Sequence, residues 1–371
     1  MDSSFDSTGG KALDGEDSTP NSTVKQGRVD GHNSPYKAGQ HGLKPKIRLE
    51  LVEIFREHIA TGARGQVIGS RTIEMRKEAI LVFFKELAKL HYKIESVYSI
   101  KQKHIRVVYQ HLEAQGHKAS TLQNAISHIR VFCEWIGKPG MVTEARDYVS
   151  IPESVKRTMV VQKDKSWEGN GVNVHEMIET VRKDDPKIAA VMMLCIAFGL
   201  RRKEALAMNI FKAVEGNTLM VIYATKGGRA RSVPIEHDWQ WEIIRDVKSI
   251  ADQHTGRLMA RGKTMQQSVR RVGTIMEKYG LTEADLGVTL HGLRHQYMHE
   301  RYKEMTGIEP PVRGGNIYTL SREEFNVATG KLMERSGHTR LSIGASYYGS
   351  RRRRKPRTAS QQDNGKSQPV I

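Results

Sequence analysis

The sequence has few features of a secreted or membrane-bound protein. Its 371 residues include two cysteines, Cys133 and Cys195, each with apolar neighbours, so both are expected to be small core residues without a disulfide framework. The uncharged run from Ile188 to Leu200 has thirteen residues, whereas a membrane-spanning helix needs about 17 to 25. Residues 1–30 hold no apolar segment flanked by positive charge, which predicts no signal peptide. These absences predict a cytoplasmic protein that does not associate with membranes.

Negative charge is also in short supply. The chain has 59 Lys and Arg against 41 Asp and Glu, for a net charge of +18. Residues 1–46 contain six acidic and six basic residues, whereas residues 351–371 contain seven basic and one acidic. The remaining excess of +12 therefore lies on residues 47–350. Such an excess predicts a polyanionic partner, most often nucleic acid.

The first part of the chain divides by composition and hydrophobic period. Residues 1–46 are rich in Gly, Ser and Asp with few large apolar side chains, which predicts a disordered leader. Residues 47–140 carry helical periods with short joins, which predicts a small helical bundle and by itself indicates no particular function. The expected helices are Ile47–Ile59, Arg71–Leu90, Ile100–Leu112 and Leu122–Ile136. No period is sustained over 141–171, which predicts an extended linker.

A second domain is expected over residues 172–350, followed by a basic tail at 351–371. Ile188–Leu200 reads as a core helix that Gly199 can end. Two β-branched runs, Thr218–Ala224 and Ala230–Ile235, flank the sequence KGGR and predict a hairpin. Further helices are expected at Trp239–Ala251, Thr264–Tyr279, Leu290–Met305 and Ser321–Arg335, the last with a capping box at Ser321. The predicted fold is mainly α with a small antiparallel β-sheet.

Arg201 stands where the most apolar helix ends. A buried guanidinium needs an anion, and pairing with Glu204 or capping of the helix would suffice for an isolated arginine. Three later stretches change this interpretation: TKGGRARSVPI (225–235), TLHGLRHQY (289–297) and SGHTRLSIGASYYG (336–349). Together with GLRRKE they supply Arg, Lys, His-x-x-Arg, Gly-His and a terminal Tyr, in that order. In this order and spacing the C-terminal half closely resembles the tyrosine recombinases, the phage integrase family.

The resemblance implies a domain arrangement and a set of site residues. The N-terminal bundle would be a SAM-like core-binding domain that clamps DNA opposite the catalytic domain. The catalytic residues implied by the motifs are Arg201, Lys226, His291, Arg294, His338 and Tyr347, with Glu204 orienting the first arginine. Basic side chains expected to contact DNA phosphates are Lys101 and Lys103 in the bundle and Arg351 and Arg352 in the tail, and His104 is expected on the same outer face of the bundle.

These residue types suit the transfer of a DNA phosphodiester. Arg201 and Arg294 would each offer a planar fork of donors to the phosphate, and histidine exchanges protons near neutral pH. Tyr347 would attack to form a 3′-phosphotyrosyl bond and release a 5′ hydroxyl, with Lys226 as the proton donor to the departing oxygen. The bond energy is kept in the phosphotyrosine and the side chains supply the positive charge, so neither a cofactor nor a metal is expected.

Some alternatives remain open at the level of single residues. Arg202 and Tyr348 are immediate neighbours that could replace Arg201 and Tyr347. His291 and His295, spaced i and i+4, could form part of a zinc site, although the sequence shows no obvious third ligand. Two features depart from the family: Ser336 replaces the usual Leu before Gly-His, and Thr306–Leu320 is a stretch with Gly, Pro and Tyr that we interpret as a surface insertion.

The predicted function is site-specific recombination, with the chain acting as an integrase of a phage or another mobile element. The expected partner is double-stranded DNA at specific attachment or crossover sites, bound by a homotetramer and assisted by accessory DNA-bending proteins. The protein would be associated with DNA in the cytoplasm. Two alternatives are a type IB-like topoisomerase, against which the helical core-binding domain and the short tail argue, and an architectural DNA-binding protein, which would form no covalent complex with DNA.

Overall fold

The computed structural model describes residues 42–62 and 67–350, except for the side chain of Lys226. Most of the predicted leader and the whole basic tail, with Arg351 and Arg352, lie outside this range. The chain divides into two compact units between Val155 and Lys156. Each unit has its own hydrophobic core.

The first unit is a helical bundle. Its helices are α1 (Pro45–His58), α2 (Ser70–Lys89), α3 (Gln102–Ala114) and α4 (Ala119–Trp135). Each one turns an apolar stripe inward, as the sequence period predicts, and these stripes form a core that includes Leu51, Phe84 and Phe132. The rings of Phe84 and Phe132 meet edge to face at 5.7 Å between centroids. The predicted bundle is thus confirmed.

The structure divides the predicted linker, 141–171, between the two units. Val142 and Tyr148 are buried in the first core, and the Tyr148 hydroxyl donates to the Met141 carbonyl at 3.0 Å. Trp167 belongs to the second core and donates from Nε1 to the Thr289 carbonyl at 2.8 Å. This segment folds into short 3₁₀ turns that have no 3.6-residue apolar period, so the sequence pattern does not reveal its packing.

The second unit surrounds a central apolar helix. Its helices are α5 (Val174–Asp184), α6 (Pro186–Phe198), α7 (Arg202–Ala207), α8 (Asp238–Ile250), α9 (Met265–Lys278), α10 (Leu290–Thr306) and α11 (Arg322–Ser336). α6 is buried on all sides and packs against α5, α8 and α10. It begins with an Asp185 cap, which accepts from the Ile188 backbone N–H at 3.2 Å, and ends at Gly199 with φ +59°.

A small antiparallel sheet lies between α7 and α8 along the chain. Its strands β1 (Val214–Glu215), β2 (Thr218–Val221) and β3 (Arg231–Pro234) pair in that order. The β2–β3 hairpin has Leu219 opposite Val233, both buried, and its connection contains the 3₁₀ turn Lys226–Gly228. The predicted mainly α fold with a small antiparallel sheet is confirmed, and β1 and α5 are additions that the sequence pattern did not predict.

The stretch Thr306–Leu320 is not simply a surface insertion. It contains 3₁₀ turns at Pro311–Arg313 and Ile317–Thr319, and Ile317 is buried. The Val312 backbone N–H donates to the Tyr348 carbonyl at 3.1 Å. This stretch therefore packs against the segment that carries the two candidate tyrosines. Across residues 42–62 and 67–350, no helix combines the length and apolar character required to cross a lipid bilayer.

Candidate active site

Glu204 is fully buried at the start of α7 and binds two arginines. Arg201 donates to it from Nη1 at 2.7 Å and from the backbone N–H at 2.8 Å. Arg231, on β3, donates through both terminal nitrogens at 3.0 and 2.6 Å. Burial alone would raise the pKa of Glu204, but the hydrogen bonds and charges of Arg231 and Arg201 bring it down to about 2. Glu204 is therefore ionised and fixes both guanidinium groups.

Three arginines converge on the C-terminal end of α11. Arg201 and Arg294 both donate to the Ser336 carbonyl, at 3.2 and 2.6 Å, and Arg231 donates from Nε to the Arg335 carbonyl at 2.9 Å. The last carbonyl groups of a helix have no partner within it and carry the negative end of its dipole, so they are natural acceptors for cations. Ser336 takes part through its backbone oxygen, which a leucine would supply equally well, so its departure from the family pattern leaves this contact intact.

Arg294 is buried beneath the site. It is 1% exposed, and its Nη1 donates to the carbonyl of Gly199 at the end of α6. A Cβ at Gly199, where φ is positive, would lie 2.4 Å from the Tyr297 ring, so glycine is required for this close packing. The remaining nitrogen, Nε, donates to the Tyr347 hydroxyl at 3.1 Å.

The Tyr347 hydroxyl lies among the predicted catalytic side chains. Besides Arg294, its oxygen is 3.2 Å from His338 Nε2, and the same nitrogen is 3.3 Å from Arg201 Nη2. The tyrosine ring lies 4.8 Å from the His295 ring and 5.5 Å from the Arg294 guanidinium carbon. The structure thus brings Arg201, Arg294, His338 and Tyr347 together, although they are far apart in the sequence.

Histidines at every fourth position of α10 line the other side of the tyrosine. The His291 ring is 6.2 Å from the Tyr347 ring and 5.3 Å from the His295 ring. Burial, reinforced by the charge of Arg294, lowers the pKa of His291 to about 4, and burial and the neighbouring histidines lower that of His295 to about 3. Both rings are therefore neutral near pH 7. Among the described residues, no three His, Cys, Asp or Glu side chains form a group that could hold a metal ion.

The two adjacent tyrosines occupy different environments. Tyr348 stacks on Tyr302 at 5.2 Å, and burial raises its pKa to about 12. A Cβ at Gly344 would lie 1.9 Å from the Tyr348 hydroxyl, so that hydroxyl fits closely over the glycine backbone. Tyr348 is thus a core residue, and the arrangement favours Tyr347 as the reactive tyrosine. The two adjacent arginines also differ. Arg202 is exposed, whereas Arg201 binds Glu204 and the Ser336 carbonyl within the site.

The remaining predicted residues lie outside this cluster or outside the described atoms. The backbone of Lys226 is in the hairpin turn, but its side chain is not described. Lys101 and Lys103 are exposed at the start of α3. The expectation that His104 lies on the outer face there is wrong, because the ring is buried and its Nδ1 accepts the Lys101 backbone N–H at 3.1 Å.

Sequence reasoning missed Arg231 as part of the site. It lies within TKGGRARSVPI, the stretch whose motif implies a role for Lys226 alone. Alternation along β3 would have found it, because Arg231 and Val233 share the buried face of the strand. An arginine on a buried strand face needs an anionic partner, and that partner is Glu204.

Comparisons with known proteins identify related families for both parts of the chain. A family model described as "Integrase" matches residues 163–300, and one described as "Phage integrase, N-terminal" matches residues 56–142. The tyrosine recombinase XerA of Pyrococcus furiosus is 22% identical over 188 residues, which are 50% of this chain and 62% of that relative. The match therefore spans less than two thirds of the relative's length.

Solved structures share the fold. A lambda integrase tetramer bound to a Holliday junction has 15% identity and a TM-score of 0.53, with coverage of 88% of this chain and 83% of that one. A lambda integrase dimer bound to a COC′ core site has 15% identity and a TM-score of 0.51, with coverage of 80% and 76%.

The fold is a helical bundle followed by a mainly helical unit, in which one tyrosine lies among arginines and histidines. Both family models describe parts of phage integrases, and the relative is a tyrosine recombinase. The chain belongs to the tyrosine recombinases of the phage integrase family.

Proposed function

We propose that this chain is a site-specific DNA recombinase that cleaves and rejoins DNA strands through a 3′-phosphotyrosyl bond at Tyr347. One observation carries the proposal: the Tyr347 hydroxyl lies 3.1 Å from Arg294 Nε and 3.2 Å from His338 Nε2. Arg201 contacts the same imidazole at 3.3 Å. A candidate nucleophile, a proton acceptor and two fixed cations therefore lie together.

The arginines are suited to stabilising the transition state. Negative charge grows on the phosphate oxygens as the tyrosine attacks, and each guanidinium has five N–H donors that keep their charge. In the structure Arg201 and Arg294 use some of these donors on Glu204, Gly199 and Ser336, which hold the two groups in place. The Arg201 side chain is 19% exposed and has donors left for a phosphate, whereas buried Arg294 would act mainly through its charge. Preorganised donors of this kind cost little rearrangement at the moment of reaction.

The proton transfers follow from the same arrangement. His338 Nε2 accepts the proton that the Tyr347 hydroxyl loses as the O–P bond forms, and the bond to the 5′ oxygen breaks. Lys226 supplies a proton to that departing oxygen. Neutral His291 donates a hydrogen bond to the phosphate. The free 5′ hydroxyl of another strand then attacks the phosphotyrosine and reverses the step. The scheme requires neither a nucleotide nor a metal ion, because side chains supply the charge and the phosphotyrosine keeps the bond energy.

The proposed partner is double-stranded DNA at attachment or crossover sites, bound by four copies of the chain. The excess charge of +12 on residues 47–350 supports DNA binding, and exposed Lys101 and Lys103 are proposed phosphate contacts in the first unit, with Arg351 and Arg352 in the tail. Lambda integrase is known as a tetramer on a Holliday junction, which supports the same assembly here. We further propose accessory DNA-bending proteins, an origin in a phage or other mobile element, and a location with the DNA in the cytoplasm.

The decisive experiment traps the covalent intermediate. The full chain is incubated, in buffer with EDTA, with a nicked suicide substrate that releases a short 5′ fragment and so prevents religation. The substrates are drawn from the attachment sites of the element that encodes the protein. We expect a protein–DNA adduct that survives denaturation. No adduct at any site would favour an architectural DNA-binding protein, and adducts on every duplex with relaxation of supercoiled DNA would favour a topoisomerase. If cleavage is lost in EDTA and restored by one divalent metal, the result would favour a metal site at His291 and His295.

A further inference from the structure

Three carbonyl groups in the segment that carries Tyr347 accept hydrogen bonds from other parts of the second unit. The Ala345 carbonyl accepts from the Val161 backbone N–H at 2.9 Å, and the Tyr348 carbonyl accepts from the Val312 N–H at 3.1 Å. Between them, the Tyr347 carbonyl is 2.9 Å from His299 Nε2. Two of these contacts come from backbone groups. The contact to Tyr347 itself comes from a side chain, which the motifs of the family do not account for.

His299 is buried on α10, two turns beyond His291, and its ring has a polar neighbour at both edges. A carbonyl oxygen only accepts, so the nitrogen next to Tyr347 carries a proton. On the opposite edge, Nδ1 lies 3.5 Å from Asp164 Oδ1, a contact without a hydrogen bond. Burial lowers the pKa of His299, while the Tyr347 carbonyl and the Asp164 charge act in the opposite direction. The ring is thus wedged between a carboxylate and the backbone of Tyr347.

Asp164 is itself fixed by Arg313. Its Oδ2 accepts from Arg313 Nε at 2.8 Å, and its Oδ1 accepts from the Ser166 hydroxyl at 2.6 Å. Arg313 also donates to that hydroxyl at 2.8 Å and to Glu168 at 3.0 Å. A Cβ at Gly169 would lie 2.0 Å from Asp164 Oδ2, so the carboxylate has little freedom to move. Burial raises the pKa of Asp164, but the hydrogen bonds from Ser166, the electrostatic interaction with His299 and the hydrogen bond from Arg313 lower it below its usual value, so the group is ionised.

These contacts form a continuous chain from the insertion to the nucleophile. We infer that Arg313, Asp164 and His299 are positioning residues that hold the Tyr347 backbone so that its hydroxyl reaches the arginines and His338. The inference rests on the proposed function of Tyr347. Arg313 lies in the stretch Thr306–Leu320, so the inference gives that stretch a role in the reaction. We call the three residues Arg313, Asp164 and His299 the positioning relay. An error of about 1 Å in the placement of a reacting group costs about 10²-fold in rate.

The test measures cleavage of the suicide substrate in a single turnover, with protein in excess, for Arg313→Gln, Asp164→Asn and His299→Leu. We expect the saturating rate to fall about 10- to 100-fold for each variant. We expect DNA affinity to change by less than about 2-fold, since none of the three residues is proposed to contact DNA. A displaced Tyr347 side chain should also leave the contacts of the arginines with the phosphate unchanged. His299→Gln keeps an amide N–H donor and should recover part of the rate lost in His299→Leu. A residue that supports only the fold would not show this rescue.

Lys278→Gln is the control for Arg313→Gln. It removes an ion pair between α9 and Asp184, at 2.7 Å, and neither residue contacts Arg313, Asp164 or the tyrosine segment. Its cleavage rate should stay at the wild-type level. The double variant Arg313→Gln/His299→Leu should be about as slow as His299→Leu alone, because a relay broken at one point is not broken further at another.

The outcomes separate the relay from the function it serves. If wild-type protein forms no adduct, the proposed function fails. If wild type forms the adduct and folded Arg313→Gln and Asp164→Asn proteins cleave at the wild-type rate, the relay is overturned. Losses that appear only in DNA affinity, or that add fully in the double variant, overturn it as well. Thermal unfolding verifies that each variant is folded, and should His299→Leu unfold, the two polar variants decide.

Discussion

At the scale of single residues, the structure separates two adjacent phenols by their surroundings. Tyr347 contacts Arg294 and His338, whereas Tyr348 is packed on Tyr302 and Phe325. Tyr347→Phe should therefore abolish the covalent adduct and leave DNA binding intact, because only the hydroxyl is lost. Denaturing gels of the suicide reaction measure the adduct, and a band-shift assay measures binding.

Tyr348→Phe is the matched control for that experiment. It removes an identical hydroxyl one residue away, from a position where burial raises the pKa to about 12. This variant should still form the adduct. The assignment is wrong by one residue if Tyr348→Phe abolishes cleavage and Tyr347→Phe does not.

Lys226 is tested through the leaving group. As the proton donor to the 5′ oxygen, it should contribute about 10²- to 10⁴-fold to cleavage of normal DNA. Replacing the bridging oxygen by sulfur gives a leaving thiolate that needs no proton. Lys226→Ala should therefore be slow on normal DNA and close to wild type on the sulfur-bridged substrate, as measured by single-turnover cleavage.

Arg201→Ala provides the contrast. Its defect is in charge stabilisation, so it should stay slow on both substrates. The relay variants should also stay slow on both, because a displaced nucleophile is not helped by a better leaving group. A failure of sulfur to rescue Lys226→Ala would remove the lysine from the role of proton donor.

At the scale of elements, the start of α7 depends on Glu204. The folded-state pKa of about 2 lies below the usual 4.5, so the group stabilises the fold above about pH 4.5 and loses this effect as the pH falls towards 2. The shift corresponds to about 3 kcal/mol. Glu204→Gln should thus lower the free energy of unfolding at pH 7 by about that amount, measured by urea denaturation.

The pH dependence distinguishes this effect from simple loss of packing. The difference between wild type and Glu204→Gln should be constant from pH 7 to about 5 and shrink between about 4.5 and 2. Glu277→Gln, on the exposed side of α9, is the control and should change neither the free energy of unfolding at pH 7 nor its dependence on pH. A difference that stays the same across the acid range would contradict the ionised, arginine-bound Glu204.

The elements that the sequence predicts well are those with a local signal. Leu122, Ile126, Ile129 and Cys133 form one stripe, and the structure has α4 there. The capping box at Ser321 also appears, with the Glu324 backbone N–H donating to the serine hydroxyl at 3.1 Å. β1 is two residues long and is defined by its pairing with β2, so no local sequence pattern predicts it.

The site divides in the same way. The family resemblance carried by four short motifs implied that Arg201, Arg294 and His338 meet at Tyr347, and the structure has these contacts. Asp164 and Arg313 were beyond reach, since their contact joins positions that are distant in sequence and lie in segments without a period. His299 had a local clue, its i+8 spacing from His291 on one helix face, but a histidine on such a face is ordinarily a core residue.

At the scale of the whole molecule, charge should govern the affinity for DNA. Each phosphate neutralised by a basic side chain lowers the slope of log affinity against log salt by about 0.9. Deleting residues 351–371, which carry seven basic residues and one acidic, should flatten that slope. The slope is measured by fluorescence anisotropy over a series of salt concentrations.

A shorter deletion is the control. Residues 358–371 carry one lysine and one aspartate, so their loss leaves the net charge unchanged and should leave the slope unchanged. An equal slope for the longer deletion would mean that Arg351 and Arg352 do not lie at the DNA.

The convergence of Arg201, Arg231 and Arg294 on the end of α11 divides the energetic cost of the site between folding and binding. Three like charges repel one another, and a single carboxylate and three backbone carbonyl groups, those of Gly199, Arg335 and Ser336, offset that repulsion. The cost of assembling the cations is therefore met when the chain folds. In the proposed reaction, a DNA phosphate would meet preassembled cations, and its negative charge would contribute to affinity and rate rather than to bringing the cations together.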